Sequence, residues 1–450
     1  MDADVGDSAG TGSGRAGDEG TGPAGAAGPG AGASPTGAGL ARRRRRWLRR
    51  TALGVTVVLA GAAAAGWAAY EKLSSNITAD EAAARELARY EKERPAALVR
   101  AAQNILLIGS DSRSGDGNAE YGRDSGTERS DTTILLHLAA DRESATAVSV
   151  PRDLMVDVPG CRRRDGSRSE AMFTQFNQAF ASGGSACTIR TLEKLTDIRV
   201  DHHMVVDFQG FKEMVDAVDG VRVCLKEPID DKDARLNVPA GRVTLNGEQS
   251  LGYVRARKTV GDGSDTDRMG RQQRFLGALV NKVQSNDVLL NPAKLYPVLD
   301  AATSSLTTDP ALASLRGLYQ LVRGMRDIPT ARVRFLTVPR TSYAYNANRD
   351  QLVEPEAEEL FDRLRSDTPV TVSKELPVDT ATKGDNRTSR NERHAGGDDG
   401  GSRPGNTSGH HEAESYGDGK SPEMRPVAPA GTPRPDPTFR GNTAADDACE

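Results

Sequence analysis

The sequence predicts an α/β domain that follows one membrane-spanning helix. The apolar run 104–108 ends in Gly-Ser-Asp, which is typical of a buried strand. The β-rich runs 133–138 and 145–150 flank a short polar break, which predicts a hairpin. Apolar residues then recur at helical spacing over 268–285, and this period predicts an amphipathic helix. Before all of these, the stretch Thr51–Tyr70 runs for about 20 residues without a charge, the length that crosses a hydrocarbon core.

Seven arginines directly precede the apolar stretch: Arg42, Arg43, Arg44, Arg45, Arg46, Arg49 and Arg50. Because such clusters stay on the cytoplasmic side, we expect a single-pass cell-membrane protein with a cytoplasmic N-terminus and an extracellular domain after Tyr70. Small residues at 62–65 also permit cleavage, so a signal peptide is the alternative. Trp67 and Tyr70 suit a membrane interface and favour the anchor.

Composition divides the chain further. Residues 1–41 are mostly small and polar, and from 366 onwards Tyr416 and Phe439 are the only aromatic residues, so neither end predicts a core. The net charge of −4 is spread over the chain and predicts no nucleic-acid partner. The predicted parts are a disordered cytoplasmic tail (1–41), a basic flank and transmembrane helix (42–70), a stalk (71–100), an extracellular catalytic domain (101–365) and a disordered C-terminal tail (366–450).

The four cysteines form no CxxC pair, so a zinc site has little support. Cys161 and Cys187 lie 26 positions apart outside the predicted membrane span, where a disulfide is expected. Cys224 and Cys449 are expected to be free thiols. The sequence contains neither GxxxxGK[ST] nor GxSxG, which argues against a P-loop nucleotidase and against an α/β-hydrolase.

Charged residues follow the predicted strands. Folding the hairpin about positions 141–142 brings together Arg129, Asp131, Arg152 and Asp153. If strand 104–108 pairs antiparallel with strand 133–138, Asp111 reaches the same edge of the sheet. Two carboxylates and two guanidinium groups at one edge predict a site for phosphate and a metal ion.

A second polar set lies further along the chain. If residues 253–257 form a strand, Tyr253, Arg255 and Arg257 share one face. On the following helix, Arg268 and Gln272 are four positions apart and project together. Solvated surface arginines are the alternative to an anion site for both pairs.

Six segments, in this order and after an N-terminal anchor, resemble the LytR-CpsA-Psr family of envelope proteins: NILLIGSDSR, RSDTTILLHL, SVPRDL, HMVVDFQGFKEMVDAVDGV, GEQSLGYVRAR and DRMGRQQRF. The resemblance covers about residues 103–285. It implies a central mixed β-sheet flanked by helices, with a hydrophobic pocket for a polyprenyl chain. It also implies transfer of a glycopolymer from a polyprenyl-pyrophosphate carrier to the cell wall, with release of polyprenyl phosphate.

The resemblance assigns residues to roles. Asp111 and Asp131 match the Mg²⁺ ligands. The groups that match the pyrophosphate-binding set are Arg129, Arg152, Arg255, Arg257, Arg268 and Gln272. The expected catalytic residues are Asp111, Asp131, Arg129 and Arg257. Gln175 stands where relatives often carry a lysine, and either Asp131 or Asp153 could act as a base toward the acceptor.

The predicted function is a membrane-anchored, Mg²⁺-dependent phosphotransferase that joins a glycopolymer to peptidoglycan. Its predicted partners are a polyprenyl-pyrophosphate-linked glycan, the peptidoglycan acceptor and the membrane. One alternative is a pyrophosphatase that uses water on the same lipid. The other is a non-enzymatic envelope regulator that binds the lipid carrier, although a mere binder would not need a pair of metal ligands.

Overall fold

The computed structural model describes residues 38–110, 130–163, 165–256, 265–284, 292–374 and 437–446, with side chains from 44, 267 and 296 onwards in the first, fourth and fifth ranges. The chain divides into two units, residues 1–66 and 67–450. Helix α1 (Ala38–Asn76) begins in the first unit. Within its segment Arg44–Asn76, an 18-residue window reaches a mean hydropathy of 1.8. The segment is long and apolar enough to span a membrane, as a signal sequence also can be.

Seventeen strands and eight further helices occur in the described ranges. The strands are β1 (Thr78–Ala79), β2 (Gln103–Ser110), β3 (Ser130–Leu138), β4 (Ala145–Val150), β5 (Met155–Val158), β6 (Met172–Gln175), β7 (His202–Val206), β8 (Val221–Leu225), β9 (Ile229–Asp231), β10 (Leu236–Val238), β11 (Gly241–Leu245), β12 (Leu306–Thr308), β13 (Val333–Thr337), β14 (Arg340–Tyr343), β15 (Asn346–Leu352), β16 (Thr371–Ser373) and β17 (Thr438–Thr443). The helices are α2 (Glu81–Arg89), α3 (Asn177–Thr196), α4 (Phe208–Ala217), α5 (Gly247–Arg255), α6 (Asp265–Gln284), α7 (Pro292–Ser305), α8 (Leu315–Met325) and α9 (Glu356–Arg365).

Nine strands form one mixed sheet in the order β1-β12-β7-β2-β3-β4-β13-β17-β16. The predicted hairpin is confirmed: β3 and β4 pair antiparallel, with Thr133 opposite Val150. Strand β2 also pairs antiparallel with β3, and Ser110 lies opposite Ser130 after a register shift. The C-terminal end of β2 therefore reaches the edge where β3 begins and β4 ends.

Helices cover both faces of this sheet. Alternate residues of β2 point to opposite faces: Leu106 and Ile108 join a core with α3 and α9, whereas Ile105 joins a second core with α8. Both cores consist of hydrophobic residues, as a strand buried on two faces requires. The fold is therefore a central mixed sheet flanked by helices, as the sequence predicts.

A third apolar cluster lies beside the sheet and supports α5 and α6. Val215 from α4, Val221 from β8, Tyr253 from α5 and Phe275 from α6 are all buried in it. Phe275 is fully buried, and its ring centroid lies 5.5 Å from that of Phe211. This cluster fixes the two helices that carry the second set of predicted polar residues.

The stalk predicted at 71–100 is wrong, because this segment packs into the domain. Ala83 and Leu87 of α2 are buried in the core that contains Ile189 and Leu192 of α3. Ala83 and Leu87 lie four positions apart and therefore share one face of the helix. This narrow apolar face packs the alanine-rich helix against the domain.

The C-terminal tail is also not wholly disordered. Strand β17 lies between β13 and β16 in the large sheet, and Phe439 and Ala444 are buried. A side chain at Gly441 would lie 2.3 Å from the Phe335 carbonyl oxygen, so glycine permits this close pairing. The domain therefore extends past residue 365, and composition missed this because only a few residues of the tail take part.

The disulfide prediction is confirmed for one pair and wrong for another cysteine. Cys161 and Cys187 are bonded, with their Cα atoms 5.7 Å apart. Gly183 passes so close that an added Cβ would lie 2.9 Å from the Cys161 Cβ. Cys224 is disulfide-bonded rather than free. Cys449 lies outside the described residues.

Two neighbouring histidines of β7 are held by carboxylates. His202 Nδ1 lies 3.2 Å from Asp309 Oδ2, and His203 Nε2 lies 3.3 Å from Asp80 Oδ2. Burial alone would raise the pKa of Asp80, but the hydrogen bonds from His203 and Ser185 outweigh it and lower that pKa to about 2. These contacts give the pair a structural role.

His202 should make stability depend on pH in a defined direction. The hydrogen bond to Asp309 raises the pKa of His202 in spite of burial, so its stabilising contribution is present below about pH 6.5 and is lost as the pH rises through the folded-state pKa. The His202→Gln variant should therefore lose more stability at about pH 6 than at about pH 9, as measured by urea unfolding.

His137 provides the contrast on the same sheet. Burial lowers its pKa despite the Asp367 carboxylate 2.9 Å away, so protonation at low pH disfavours the folded state. The His137→Gln variant should therefore lose less stability at low pH than at high pH, the opposite of His202→Gln. If His202→Gln lost the same unfolding free energy at both pH values, the raised pKa of His202 would be contradicted.

Candidate functional site

Three charged side chains meet where β3 begins and β4 ends. Arg152 donates from Nη1 to Asp131 Oδ1 at 3.0 Å and from Nε to Asp153 Oδ2 at 3.1 Å. The hairpin register brings them together, as the sequence predicts. Because carboxylates on two sides hold the guanidinium group, its plane is fixed.

Residues 247–255 form helix α5, so the predicted strand and the shared face of Tyr253 and Arg255 are wrong, while Arg257 lies outside the described residues. The helix begins at a capping box: the Asn246 side chain accepts from the Gln249 backbone N–H at 2.9 Å, and the Gln249 side chain accepts from the Asn246 N–H at 3.1 Å. Satisfying these end groups favours helix over strand.

Arg255, the last residue of α5, still reaches the site. Its guanidinium carbon lies 4.6 Å from the centre of the Phe208 ring, a cation–π contact. Gln272 on α6 donates to the Val254 carbonyl oxygen at 3.1 Å, which ties α6 to the end of α5. Arg268, one turn earlier on α6, is only 6% exposed.

A cavity of about 450 Å³ joins the two polar sets. The predicted site residues that line it are Asp131, Arg152, Arg255, Arg268 and Gln272. The aliphatic and aromatic side chains of its wall include Ile134, Val206, Phe208, Phe211, Leu251, Val254, Phe275 and Leu276. Cationic and apolar groups therefore share one space.

Three predicted site residues, Asp111, Arg129 and Arg257, lie outside the described residues. Their roles as metal ligand, phosphate contact and catalytic groups stay predictions. The described ends of their segments, Ser110, Ser130 and Ala256, border the same region of the fold.

Several polar residues of the site were missed. Arg349 on β15 donates from Nη1 to Asp153 Oδ1 at 3.0 Å, and it also lies against the side-chain amide of Gln175. No motif marks Arg349, because only the tertiary fold brings it there. Asp207 lines the cavity and caps α4 through the Gly210 N–H at 2.8 Å, and an aspartate directly before a helical run was a usable signal.

The acids Asp231 and Asp233 also line the cavity. Asp231 is 3% exposed, and one of its oxygens accepts from the backbone N–H groups of Asp233 and Ala234, each at 3.0 Å. Burial lowers the pKa of the neighbouring Arg271, against the opposing influence of Tyr253, Asp267 and Asp231. Among the residues with described positions, no group of three or more His, Cys, Asp or Glu side chains could hold a metal ion.

Comparison with known proteins decides the family. The sequence profile of the LytR_cpsA_psr family matches residues 71–366. The chain belongs to this family. The match begins at the C-terminal part of α1 and ends after α9, so β16 and β17 lie beyond it.

The chain is similar to proteins of cell-wall synthesis. The cell wall biosynthesis protein LcpA of Corynebacterium glutamicum is 36% identical over 266 residues, which are 54% of this chain and 50% of that protein. The polyisoprenyl-teichoic acid–peptidoglycan teichoic acid transferase TagV of Bacillus subtilis is 29% identical over 237 residues, 52% of this chain and 57% of that protein. The chain thus spans about half the length of these relatives. The crystal structure of B. subtilis TagV covers 59% of this chain and 96% of its own, at 24% identity and a TM-score of 0.47.

Proposed function

We propose that this family member is a membrane-anchored phosphotransferase that moves a glycopolymer from a polyprenyl-pyrophosphate carrier to peptidoglycan. The observation that carries the proposal is the cavity, whose lining combines three guanidinium groups and four carboxylates with many apolar side chains. The substrate class has the same two parts, a diphosphate and a hydrocarbon chain. The relatives named for cell-wall synthesis and teichoic acid transfer support this choice.

The arginine side chains that line the cavity suit a diphosphate. Arg152, Arg255 and Arg268 present planar forks, which can bind phosphate oxygens in pairs. Arg268 is nearly buried, so its charge acts where water screens it little. The Phe208 ring and the Val254 backbone hold Arg255 and Gln272 in place before any ligand arrives, which lowers the ordering cost of binding.

The apolar side chains of the cavity suit the carrier lipid. Phe211 and Phe275 pack against each other, and with Leu251 and Leu276 they offer apolar surface that a prenyl chain can cover. Burying such a chain stabilises the complex by about 25 cal/mol for each Å² of apolar surface that is removed from water. The lipid would thus supply binding energy, while the arginines select the diphosphate.

The described residues also fit a divalent cation with few protein ligands. Asp131 lines the cavity and is about one-third exposed, and only one of its oxygens accepts from Arg152. Asp131 and the sequence-predicted Asp111 would hold Mg²⁺, which prefers few carboxylates together with phosphate oxygens. Bound Mg²⁺ would neutralise charge that develops on the diphosphate.

In the proposed reaction an acceptor hydroxyl oxygen attacks the phosphorus that carries the glycan. The bond from that phosphorus to the bridging oxygen breaks, polyprenyl phosphate leaves, and the proton of the attacking hydroxyl is released to solvent. Arg152, Arg255 and Arg268 bind the charge on the leaving phosphate. Both oxygens of Asp153 are held by guanidinium groups, so Asp153 acts as a positioning residue for Arg152 rather than as the base.

The anchor follows from the same substrate. The apolar segment of α1 would hold the domain at the membrane face where the carrier lipid resides. The seven arginines before it support a cytoplasmic N-terminus and an extracellular domain.

The test is transfer itself. The full chain in lipid nanodiscs is mixed with a radiolabelled polyprenyl-diphosphate glycan, peptidoglycan and Mg²⁺. The proposal expects a covalent glycan–peptidoglycan conjugate. Release of free glycan phosphate at the same rate with and without peptidoglycan would show a hydrolase, and binding without turnover would show a carrier-binding protein.

A further inference from the structure

An exposed aromatic strip lies beside the site. It consists of Phe173 on β6 together with Tyr343 and Tyr345 of the β14–β15 hairpin. Phe173 is 54% exposed and Tyr345 is 88% exposed. The ring centroids follow one another at 6.1 Å and 5.4 Å, so the three rings form one continuous surface.

The strip rests on a fixed support. Arg340 forms a salt bridge with the buried Asp350, which joins the two ends of the hairpin. The Asp350 backbone N–H donates to the Asp153 carbonyl oxygen at 3.1 Å. The hairpin that carries both tyrosines is therefore attached to the segment that carries Arg152 and Asp153.

The strip leads to the polar end of the cavity. Phe173 and Gln175 are two positions apart on β6 and share one face, about 7 Å from each other. Gln175 contacts Arg349, which binds Asp153 at 3.0 Å, and Asp153 in turn binds the cavity residue Arg152. A molecule on the strip would thus end beside the reacting diphosphate.

The chemistry of the strip selects among ligands. Residues 341–348 and 171–178 contain no charged side chain. Asn346 and Asn348 are exposed beside the tyrosines and offer both donors and acceptors. Sugar rings have apolar C–H faces that stack on aromatic rings, and their hydroxyl and acetamido groups bind amides. A neutral glycan fits this surface better than an anionic polymer or a charged peptide.

We propose that the aromatic strip is the acceptor subsite, on which an uncharged glycan strand of peptidoglycan stacks and presents a hydroxyl group to the cavity. This inference rests on the proposed transferase function and adds the binding site of its second substrate. No atom of the strip takes part in bond making or breaking.

The test compares tyrosines of similar exposure. Tyr345→Ala and the double variant Tyr343→Ala/Tyr345→Ala are assayed in nanodiscs beside Tyr319→Ala, whose side chain is 62% exposed on α8. The strip variants should raise the KM for peptidoglycan by about tenfold, the size expected for lost aromatic contacts. The KM for the lipid donor and kcat at saturating acceptor should stay unchanged, and Tyr345→Trp should restore binding.

Direct binding separates the two proposals. Binding of an uncharged N-acetylglucosamine oligosaccharide to the full chain is measured by calorimetry without donor, so it does not depend on transfer. Loss of this binding in the strip variants supports the subsite even if the wild type shows no transfer, an outcome that would overturn only the proposed function. Unchanged binding and unchanged acceptor KM in the double variant, or equal losses in Tyr319→Ala, would overturn the subsite. If the strip variants lost binding only to the stem peptides of peptidoglycan, that result would also overturn the subsite.

Discussion

Replacing Asp131 with asparagine should reduce transfer by roughly 100- to 1,000-fold. The carboxylate holds Arg152 at 3.0 Å and is the described candidate ligand for Mg²⁺, so both the orientation of the fork and the charge for the ion are lost together. The side chain is about one-third exposed and lies at a strand end, so the variant should melt close to the wild type. Initial rates and thermal unfolding measure both.

The control for this variant is Asp141→Asn. Asp141 lies at the opposite, turn end of the same β3–β4 hairpin, where it accepts from the Glu143 N–H at 2.8 Å. The Asp141→Asn variant should keep full activity, with the same Mg²⁺ requirement as the wild type. Near-normal transfer by Asp131→Asn at low Mg²⁺ would show that this carboxylate neither holds the ion nor orients a needed group.

Replacing Arg268 with lysine should cost about 2–4 kcal/mol of transition-state stabilisation, or about 30- to 1,000-fold in rate. Arg268 lines the cavity and is 6% exposed, so its charge is presented to the ligand with little competition from water. Lysine keeps the charge but provides one ammonium in place of a planar fork, which loses paired binding of phosphate oxygens.

Arg274→Lys provides the matched control, since Arg274 is exposed on the same helix α6. It should leave the rate unchanged. Circular dichroism and melting temperature show whether either helix variant is folded. Equal activity of Arg268→Lys and wild type, with both folded, would remove this residue from the proposed diphosphate site.

The sequence predicted that Asp131, Arg152 and Asp153 meet at the strand ends, because local patterns determine the hairpin. A polar break between two β-rich runs fixes the hairpin register, and register alone places Asp131 beside Arg152. The helical period over α6 likewise placed Arg268 and Gln272 on neighbouring turns.

The other half shows where local reading fails. The alternation of Tyr253, Arg255 and Arg257 predicted a strand, but the capping box at Asn246 was the stronger signal for a helix. Arg349 and the tail residue Phe439 could not be found in this way. Each joins the domain through contacts that are distant in sequence, and nothing near either residue indicates its partner.

One measurement tests the central claim most directly: the fate of the phosphorus atom that carries the glycan. A lipid donor labelled with ³²P only at that position is incubated with the full chain, Mg²⁺ and peptidoglycan. The account predicts that the label becomes covalently attached to peptidoglycan while unlabelled polyprenyl phosphate is released. Label that stays with the lipid, or that appears only in soluble glycan phosphate, would contradict it.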